Sequence, residues 1–264
     1  KIGVKFFPKG KNQLPISILG SNYLRPIEYY EKRGSAQCKT CVMFASLNTP
    51  GEMRIFAKRS RNHTELMFKS LNMPISIKKK GKTDFIKMLT PNKLDKFNLD
   101  IPGDISSGAF FIALTLLSEN SHLVLKNINL NSSRLGIVKI LNKMGAGIKT
   151  KNIKSNAGEK CGDIIAKSKK KLKSINCPSY LNSSAIDEFL IIFLIAAKSK
   201  GISYFKDLSE LDKKESPRLK LGSRILNLIG VKTKLTNNSI KIYGNPNIKL
   251  NKNYEIKNYL KDHR

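Results

Sequence analysis

A unit repeated three times along the chain is the feature that most constrains its fold. Each copy begins with serine and a helix of small and apolar residues, and continues through a turn, a β-branched strand, a polar loop, an amphipathic helix and a closing strand. The copies start at Ser35, Ser106 and Ser183. The period is about 70 to 85 residues, far longer than that of a solenoid. Strands that alternate with helices predict an α/β protein built from a few large repeats.

Local signals predict where the helices of each repeat begin and end. Serine is a preferred N-cap residue, so we expect Ser35, Ser106 and Ser184 at the starts of the three first helices. The second helices carry further signals: the capping-box pair Asn62 and Glu65, Ser216 as a cap before Pro217, and the closing glycines Gly145 and Gly230.

The composition excludes several classes of protein. With 264 residues, of which 40% are hydrophobic, the chain can bury a core that an intrinsically disordered protein could not. Four cysteines in this length do not indicate a disulfide-stapled mini-protein. The longest apolar run, 186–197, is shorter than a membrane span, and the first residues lack the apolar segment of a signal peptide. We therefore expect a soluble protein of the cytoplasm.

The formal net charge of +30 has three possible origins. Dense lysine and arginine suit a nucleic-acid binder, because they supply contacts with phosphate groups. They also suit a basic cleft for small anionic substrates. A chain rich in Lys, Asn and Ile is typical of proteins from AT-rich genomes, and the basic residues are spread over the whole length. Charge alone favours this compositional origin and leaves the other two open.

Cys38 and Cys41 have the spacing of a redox or zinc motif, but no second pair completes a set of four ligands. They lie beside the apolar stretch CVMFASL, which is typical of a helix. Because small cysteine side chains fill space well, we predict that both belong to the core.

A domain boundary is expected near Pro102 and Gly103. The stretch before it is polar and broken by two prolines, and a new repeat begins directly after it. The sequence therefore predicts one domain over residues 1–102 and a second over residues 103–264.

The serine-headed helix starts could bind anions. A helix N-terminus presents free N–H groups and a partial positive charge, and hydroxyl or amide side chains there can hold phosphate or carboxylate oxygens. Such side chains occur in Ser35-Ala36-Gln37, Ser106-Ser107-Gly108 and Ser184-Ala185. Plain helix capping is the simpler interpretation of these serines, and the sequence alone does not decide between the two.

The third repeat adds ionisable residues. Asp187 is expected in the first turn of a largely apolar helix, and the segment KKESPR, residues 213–218, opens the second helix. Asp187 and Glu215 beside Lys214 and Arg218 could form an acid–base pair within an anion site. The same residues fit a first-turn acid and an exposed charged loop equally well.

Seven motifs in order resemble the 5-enolpyruvylshikimate-3-phosphate synthase family over nearly the whole chain. They are SAQCKTCVMFASLNTPGE, SRNHTELM, IPGDISSGAFFIALTLL, LNSSRLGIVKILNKMGAGI, SSAIDEFLIIFLIAA, KKESPRL and the closing DHR. The resemblance implies the enolpyruvyl transferase fold, an α/β architecture of two domains that each contain three βαβαββ units, incomplete here. Its substrates would bind between the two domains.

The resemblance also implies a reaction. The 5-hydroxyl of shikimate 3-phosphate would add to C2 of phosphoenolpyruvate, C3 would be protonated, and the tetrahedral adduct would lose phosphate. No metal or organic cofactor is implied. The partners would be these two small molecules, without nucleic acid or membrane, and we expect a monomer.

Roles for individual residues follow from the same motifs. Those matching shikimate 3-phosphate ligands are Ser35, Ala36, Gln37, Ser60, Asp187 and Lys214; those matching phosphoenolpyruvate ligands are Gln37, Arg218 and Arg264. Asp187 is the candidate base for the 5-hydroxyl and Glu215 the candidate proton donor at C3.

Two positions depart from the family pattern. Pro217 stands where an acid is usual, which removes a charge beside Arg218, and Asn62 replaces an acid in the SRDHTE motif. His63 next to it is expected to be a loop or cap residue. Family motifs expected before Lys1 and after Arg264 are absent, so we expect a fragment that does not turn over alone. The alternatives are a transferase acting on UDP-N-acetylglucosamine and, remotely, a basic RNA-associated protein.

Overall fold

A computed structural model of the chain describes residues 2–8, 13–169, 171–249 and 262. It divides into two compact units: unit 1 comprises Lys1–Leu99 with Ala157–Glu159, and unit 2 comprises Asp100–Asn156 with Lys160–Arg264. The predicted domain limits, 1–102 and 103–264, stay a prediction for the whole protein. None of the helices within the described ranges has the length and apolar character that a membrane span needs.

Unit 1 contains a short hairpin and the first repeat. The hairpin joins β1 (Lys5–Phe7) and β2 (Ser17–Leu19) in antiparallel register. The repeat consists of β3 (Glu28–Glu31), α1 (Ala36–Ala45), β4 (Glu52–Lys58), α2 (His63–Ser70), β5 (Ile75–Lys80) and β6 (Thr83–Leu89), with a short 3-10 helix, Ser46–Asn48, after α1. Its sheet has the order β3-β4-β6-β5, in which only β3 and β4 are parallel.

Unit 2 contains the second and third repeats. The second consists of α3 (Ile105–Leu117), β7 (His122–Asn129), α4 (Gly136–Lys143), β8 (Lys149–Asn156) and β9 (Glu159–Lys167). The third consists of α5 (Phe189–Ala197), β10 (Gly201–Phe205), α6 (Arg218–Leu228), β11 (Thr233–Leu235) and β12 (Ile240–Gly244). Two 3-10 helices, Ser179–Ser184 and Leu211–Lys213, precede α5 and α6.

All three repeats build their sheets in the same order. The sheets β7-β9-β8 and β10-β12-β11 match β4-β6-β5 of unit 1. The first strand of the later repeats is reduced to parallel bridges, Gly103 to Ile128 in the second and Asn176 to Tyr204 in the third. The predicted α/β class and the repeated βαβαββ pattern are therefore confirmed.

The second helices of the three repeats also end in the same way. The residue after each C-cap is left-handed: Asn72 with φ 53°, Gly145 with φ 92° and Gly230 with φ 87°. The next N–H donates to the carbonyl five residues back, at 3.0 Å in the first two helices and 2.8 Å in α6. This is the Schellman arrangement. The two predicted glycine stops are confirmed, and asparagine takes the same role in α2.

Each unit has its own apolar core. In unit 1 the sheet residues Met53, Ile55 and Ile86 pack against Met43 of α1 and Phe68 of α2. In unit 2 the nearly uniform apolar sequence of α5 is explained by its burial, with side chains such as Ile192 and Ala196 fully enclosed. The folded repeats thus bury the small-and-apolar helices that the sequence pattern singled out.

The prediction that Cys38 and Cys41 belong to the core was wrong. Both are exposed free thiols, because α1 turns its Lys39 and Met43 side towards the sheet and the cysteines lie on the other side. Within the described ranges, no three His, Cys, Asp or Glu side chains come together as a metal site would require.

Candidate active site

The residues singled out from the sequence follow the carboxyl ends of parallel strands. Glu31 of β3 pairs with Ala57 of β4 in parallel register, so the segments containing Ser35 and Ser60 leave the sheet of unit 1 at the same edge. In unit 2 the parallel bridges define corresponding edges before α3 and α4, and before α5 and α6. In open α/β sheets, ligands bind outside such carboxyl ends.

The start of α1 is built as the sequence predicts. Ser35 is the N-cap, and its Oγ accepts a hydrogen bond from the Cys38 N–H at 3.2 Å. Ala36 is the first helical residue, and the Gln37 side chain is exposed. The Ser60 hydroxyl is buried and has no hydrogen-bond partner among the described residues. A buried hydroxyl without a partner is costly, so it marks a place where a polar ligand atom would be stabilised.

A buried ion pair beneath this helix start was not foreseen. Lys39 on the inner face of α1 lies 2.5 Å from Oε1 of Glu65 in α2, and its Nζ also donates to the Arg61 carbonyl at 2.8 Å. The capping-box interpretation of Glu65 was wrong, because this carboxylate is directed to Lys39. Helix α2 still begins after Asn62, with His63 as its first residue and the His63 Nδ1 2.6 Å from Oε1 of Glu159.

Asp187 lies just before a helix and not in its first turn. For the first helix of the third repeat, the predicted start at Ser183 and Ser184 was wrong. Those serines end a 3-10 helix, and Ser184 Oγ donates to the Leu181 carbonyl. The chain then makes a turn over 186–188, and α5 begins at Phe189. This turn leaves the Asp187 side chain only 13% exposed beside the start of α6.

Arg218 brings the predicted carboxylates together. Its side chain is 1% exposed, and its Nη1 donates to Asp187 at 3.2 Å while its Nη2 donates to Glu215 at 2.5 Å. The Nε and Nη2 atoms also donate to the two oxygens of Asp262, at 2.8 and 3.0 Å. Asp187 and Glu215, which lie on either side of α5 and β10 in sequence, therefore meet at one guanidinium group.

The charges of this cluster act on the ionisation of the arginine. Burial is the largest single effect and lowers the pKa of Arg218. Hydrogen bonding to Asp262 and the negative charges of Asp262, Glu215 and Asp187 outweigh burial, so the pKa of Arg218 is raised above its usual value. The guanidinium is permanently charged in this setting.

The start of α6 differs from the prediction. Ser216 does not cap the helix, since its Oγ donates to Asp262 at 2.6 Å. The capping acceptor is Asp212, whose Oδ1 binds the Leu219 N–H at 2.8 Å. Pro217 precedes the helix, which begins at Arg218. The missing acid at position 217 leaves Arg218 well oriented because three other carboxylates hold its side chain.

A second arginine lies near Asp187 and was not among the predicted site residues. Arg134, in the loop before α4, places its Nη1 4.0 Å from the second oxygen of Asp187. Its Nη2 contacts Asp104 and the Ser106 hydroxyl, each at 2.5 Å. A sequence signal for Arg134 exists: a Ser-Arg pair precedes the second helix in each of the first two repeats. This pair is also part of the repeat pattern, so it does not by itself indicate a site residue.

Two predicted ligands remain, Lys214 and Arg264. Lys214 is exposed directly before Glu215. Arg264 lies outside the described residues.

The repeated βαβαββ units, with their common sheet order, define an enolpyruvyl transferase fold. The enolpyruvyl transferase NikO from Streptomyces tendae superposes with a TM-score of 0.64 over 92% of this chain and 56% of that chain, at 13% identity, which is a likeness of fold alone. An EPSP synthase from Acinetobacter baumannii superposes with a TM-score of 0.80 at 32% identity, over 92% of this chain and 54% of that chain.

The chain belongs to the EPSP synthase (3-phosphoshikimate 1-carboxyvinyltransferase) family, whose model matches residues 1–264. The 3-phosphoshikimate 1-carboxyvinyltransferase of Thermodesulfovibrio yellowstonii is 35% identical over 92% of this chain. That of Petrotoga mobilis is 35% identical over 100% of this chain. The chain spans 56% of the first relative and 60% of the second.

Proposed function

We propose that the whole protein transfers the enolpyruvyl group of phosphoenolpyruvate to the 5-hydroxyl of shikimate 3-phosphate, with release of phosphate. Family membership and the names of the relatives support this activity. The observation that carries the proposal for these residues is the meeting of Asp187 and Glu215 at the buried guanidinium of Arg218. An addition–elimination of this kind needs one group that removes a proton and another that supplies one.

The two carboxylates have different surroundings, which suits different roles. Asp187 is 13% exposed and is faced by two guanidinium groups, an environment that suits a carboxylate acting as the base for the 5-hydroxyl. Glu215 is 50% exposed, so it can exchange protons with solvent. We assign Glu215 to the protonation of C3 of phosphoenolpyruvate.

Arg218 has a limited capacity for a further anion in the described arrangement. A guanidinium has five N–H donors, and four hydrogen bonds already join this one to Asp187, Glu215 and Asp262. Glu215 is the most exposed of these partners. We propose that Glu215 moves aside when phosphoenolpyruvate binds, which frees an Nη2 hydrogen for the substrate.

Shikimate 3-phosphate is assigned to the residues that the family motifs match to it. Ser35, Ala36 and Gln37 offer the free N–H groups and polar side chains of a helix N-terminus, which favour phosphate oxygens. The buried hydroxyl of Ser60, which has no hydrogen-bond partner within the described part of the chain, would gain one. Asp187 and Lys214 are assigned to the same substrate, and Gln37, Arg218 and Arg264 to phosphoenolpyruvate. The chemistry proposed needs no metal or organic cofactor.

The substrate pair can be tested directly in the full-length protein. Phosphate release should require both shikimate 3-phosphate and phosphoenolpyruvate, and should be absent when UDP-N-acetylglucosamine replaces the former. Release with UDP-N-acetylglucosamine, or none with shikimate 3-phosphate, would contradict the proposal. We further propose a cytoplasmic monomer that binds neither nucleic acid nor membrane, which light scattering and salt-dependent RNA-binding assays would check.

A further inference from the structure

We propose that Arg134 is a positioning residue that holds Asp187 for its role as the base, an inference that rests on the proposed function. Asp187 presents one oxygen to each of two arginines: Oδ1 is 3.2 Å from Arg218 Nη1, and Oδ2 is 4.0 Å from Arg134 Nη1. The two arginines come from different repeats and face the carboxylate through different oxygens. The carboxylate of Asp187 therefore lies between two guanidinium groups.

Arg134 is itself fixed. Its side chain is 11% exposed, and Nη2 is held by the Asp104 carboxylate and the Ser106 hydroxyl. Asp104 is in turn fixed as the N-cap of α3, where it accepts the Ser106 N–H at 3.1 Å. Because Asp104 caps α3 and Ser106 lies in its first turn, both partners hold Arg134 at the start of this helix.

The start of α3 also contacts the turn that contains Asp187. The Ser106 hydroxyl donates to the buried carboxylate of Glu188, the next residue along the chain. Side chain and backbone of the Asp187 turn are thus both tied to the start of α3. A base that must meet a bound hydroxyl needs such restraint, since a misplacement of about 1 Å can cost about 100-fold in rate.

The charge balance gives Arg134 a further reason to be present. Arg218 contacts three carboxylates, those of Asp187, Glu215 and Asp262. Arg134 adds a positive charge on the far side of Asp187, shared with Asp104. Removing it should therefore leave Asp187 less well placed, with one guanidinium fewer beside its negative charge.

The test uses the full-length protein and its phosphate-release activity. Arg134→Gln should lower kcat about 10- to 100-fold and change the KM for shikimate 3-phosphate by less than about threefold. Arg134→Lys, which keeps the charge, should recover most of kcat. The exposed Arg224→Gln on α6 is the matched control and should stay within twofold of wild type.

Asp104→Asn covers the case in which Arg134→Gln does not fold. Asparagine caps a helix as well as aspartate does, so α3 is kept while the ion pair to Arg134 is weakened, and kcat should fall several-fold. The inference is overturned if Arg134→Gln, or failing it Asp104→Asn, keeps wild-type kcat, or if Arg134→Lys restores none of the kcat that Arg134→Gln loses. A wild-type protein that releases no phosphate would instead overturn the proposed function, and this inference with it.

Discussion

Arg218 and Asp262 form a two-pronged ion pair across 44 residues of sequence, with Nε to Oδ2 at 2.8 Å and Nη2 to Oδ1 at 3.0 Å. Two parallel N–H···O bonds fix the plane of a guanidinium as well as its position. The Asp262 side chain is only 4% exposed, so the pair is shielded from solvent. This geometry directs the other edge of Arg218 towards Asp187 and Glu215.

Replacing Asp262 should therefore weaken the fold of unit 2. Asp262→Asn keeps the shape but removes the charge, leaving a buried arginine with one strong partner fewer, and should lower the free energy of unfolding by about 2 kcal/mol. Urea unfolding followed by circular dichroism measures this loss. Asp95→Asn, in an exposed ion pair with Lys93, is the matched control and should leave stability nearly unchanged. Equal effects of the two changes would contradict the prediction.

The buried pair of Lys39 and Glu65 makes a similar prediction for unit 1. Glu65→Gln leaves a buried lysine without its counter-charge and should lower the free energy of unfolding by about 3 kcal/mol. Replacing both residues, as Lys39→Met with Glu65→Leu, should recover most of that loss, because no isolated charge remains. In the closed cycle of Lys39→Met, Glu65→Leu and the double variant, additive losses would argue against a coupled pair.

The four cysteines should differ in reactivity. Cys38 and Cys41 are exposed, whereas Cys161 and Cys177 are buried. Burial raises the pKa of Cys177 to about 11, so its thiol stays protonated, and therefore unreactive, until well above neutral pH. Brief labelling of the native protein with iodoacetamide at pH 8, read by peptide mass spectrometry, should modify the first two alone. Cys177 labelled as fast as Cys38 would refute the buried placement.

Gly136 at the start of α4 permits a close approach to the segment before Asp187. A Cβ there would lie 2.5 Å from the Ser184 carbonyl carbon. Gly136→Ala gains up to about 1 kcal/mol of helix propensity. The overlap of the new Cβ with the Ser184 backbone should outweigh this gain, so the free energy of unfolding, measured by thermal unfolding, should fall by about 1–2 kcal/mol. Gly20→Ala, where a Cβ would meet nothing within 4 Å, is the control. A stabilised Gly136→Ala would contradict the contact.

The repeat and its helix stops could be predicted because they depend on local chemistry. A left-handed residue after a helix favours glycine wherever the helix lies, so Gly145 and Gly230 were identifiable from sequence. The caps at Ser184 and Ser216 were mispredicted because each hydroxyl has a competing acceptor, the Leu181 carbonyl in one case and the Asp262 carboxylate in the other. The presence of a serine does not by itself show whether its hydroxyl caps the helix or donates to such an acceptor.

The contacts that sequence could not supply join distant positions. The burial of Lys39 and the exposure of Cys38 depend on which side of α1 meets the sheet, which is set by packing and not by spacing. The contact between Arg134 and Asp187 likewise joins two repeats, and no local pattern encodes it. Asp187 and Glu215 are candidates from the sequence of the third repeat, and the family motifs imply their roles. Their shared contact with Arg218 is known only from the fold.

The most direct test of the central claim compares turnover with binding in carboxylate variants of the full-length protein. We predict that Asp187→Asn and Glu215→Gln each lower kcat for phosphate release at least about 100-fold. Both should still bind shikimate 3-phosphate, measured by tyrosine fluorescence, within about tenfold of wild type. Variants that turn over within twofold of wild type would contradict the assignment of proton transfer to the carboxylates around Arg218.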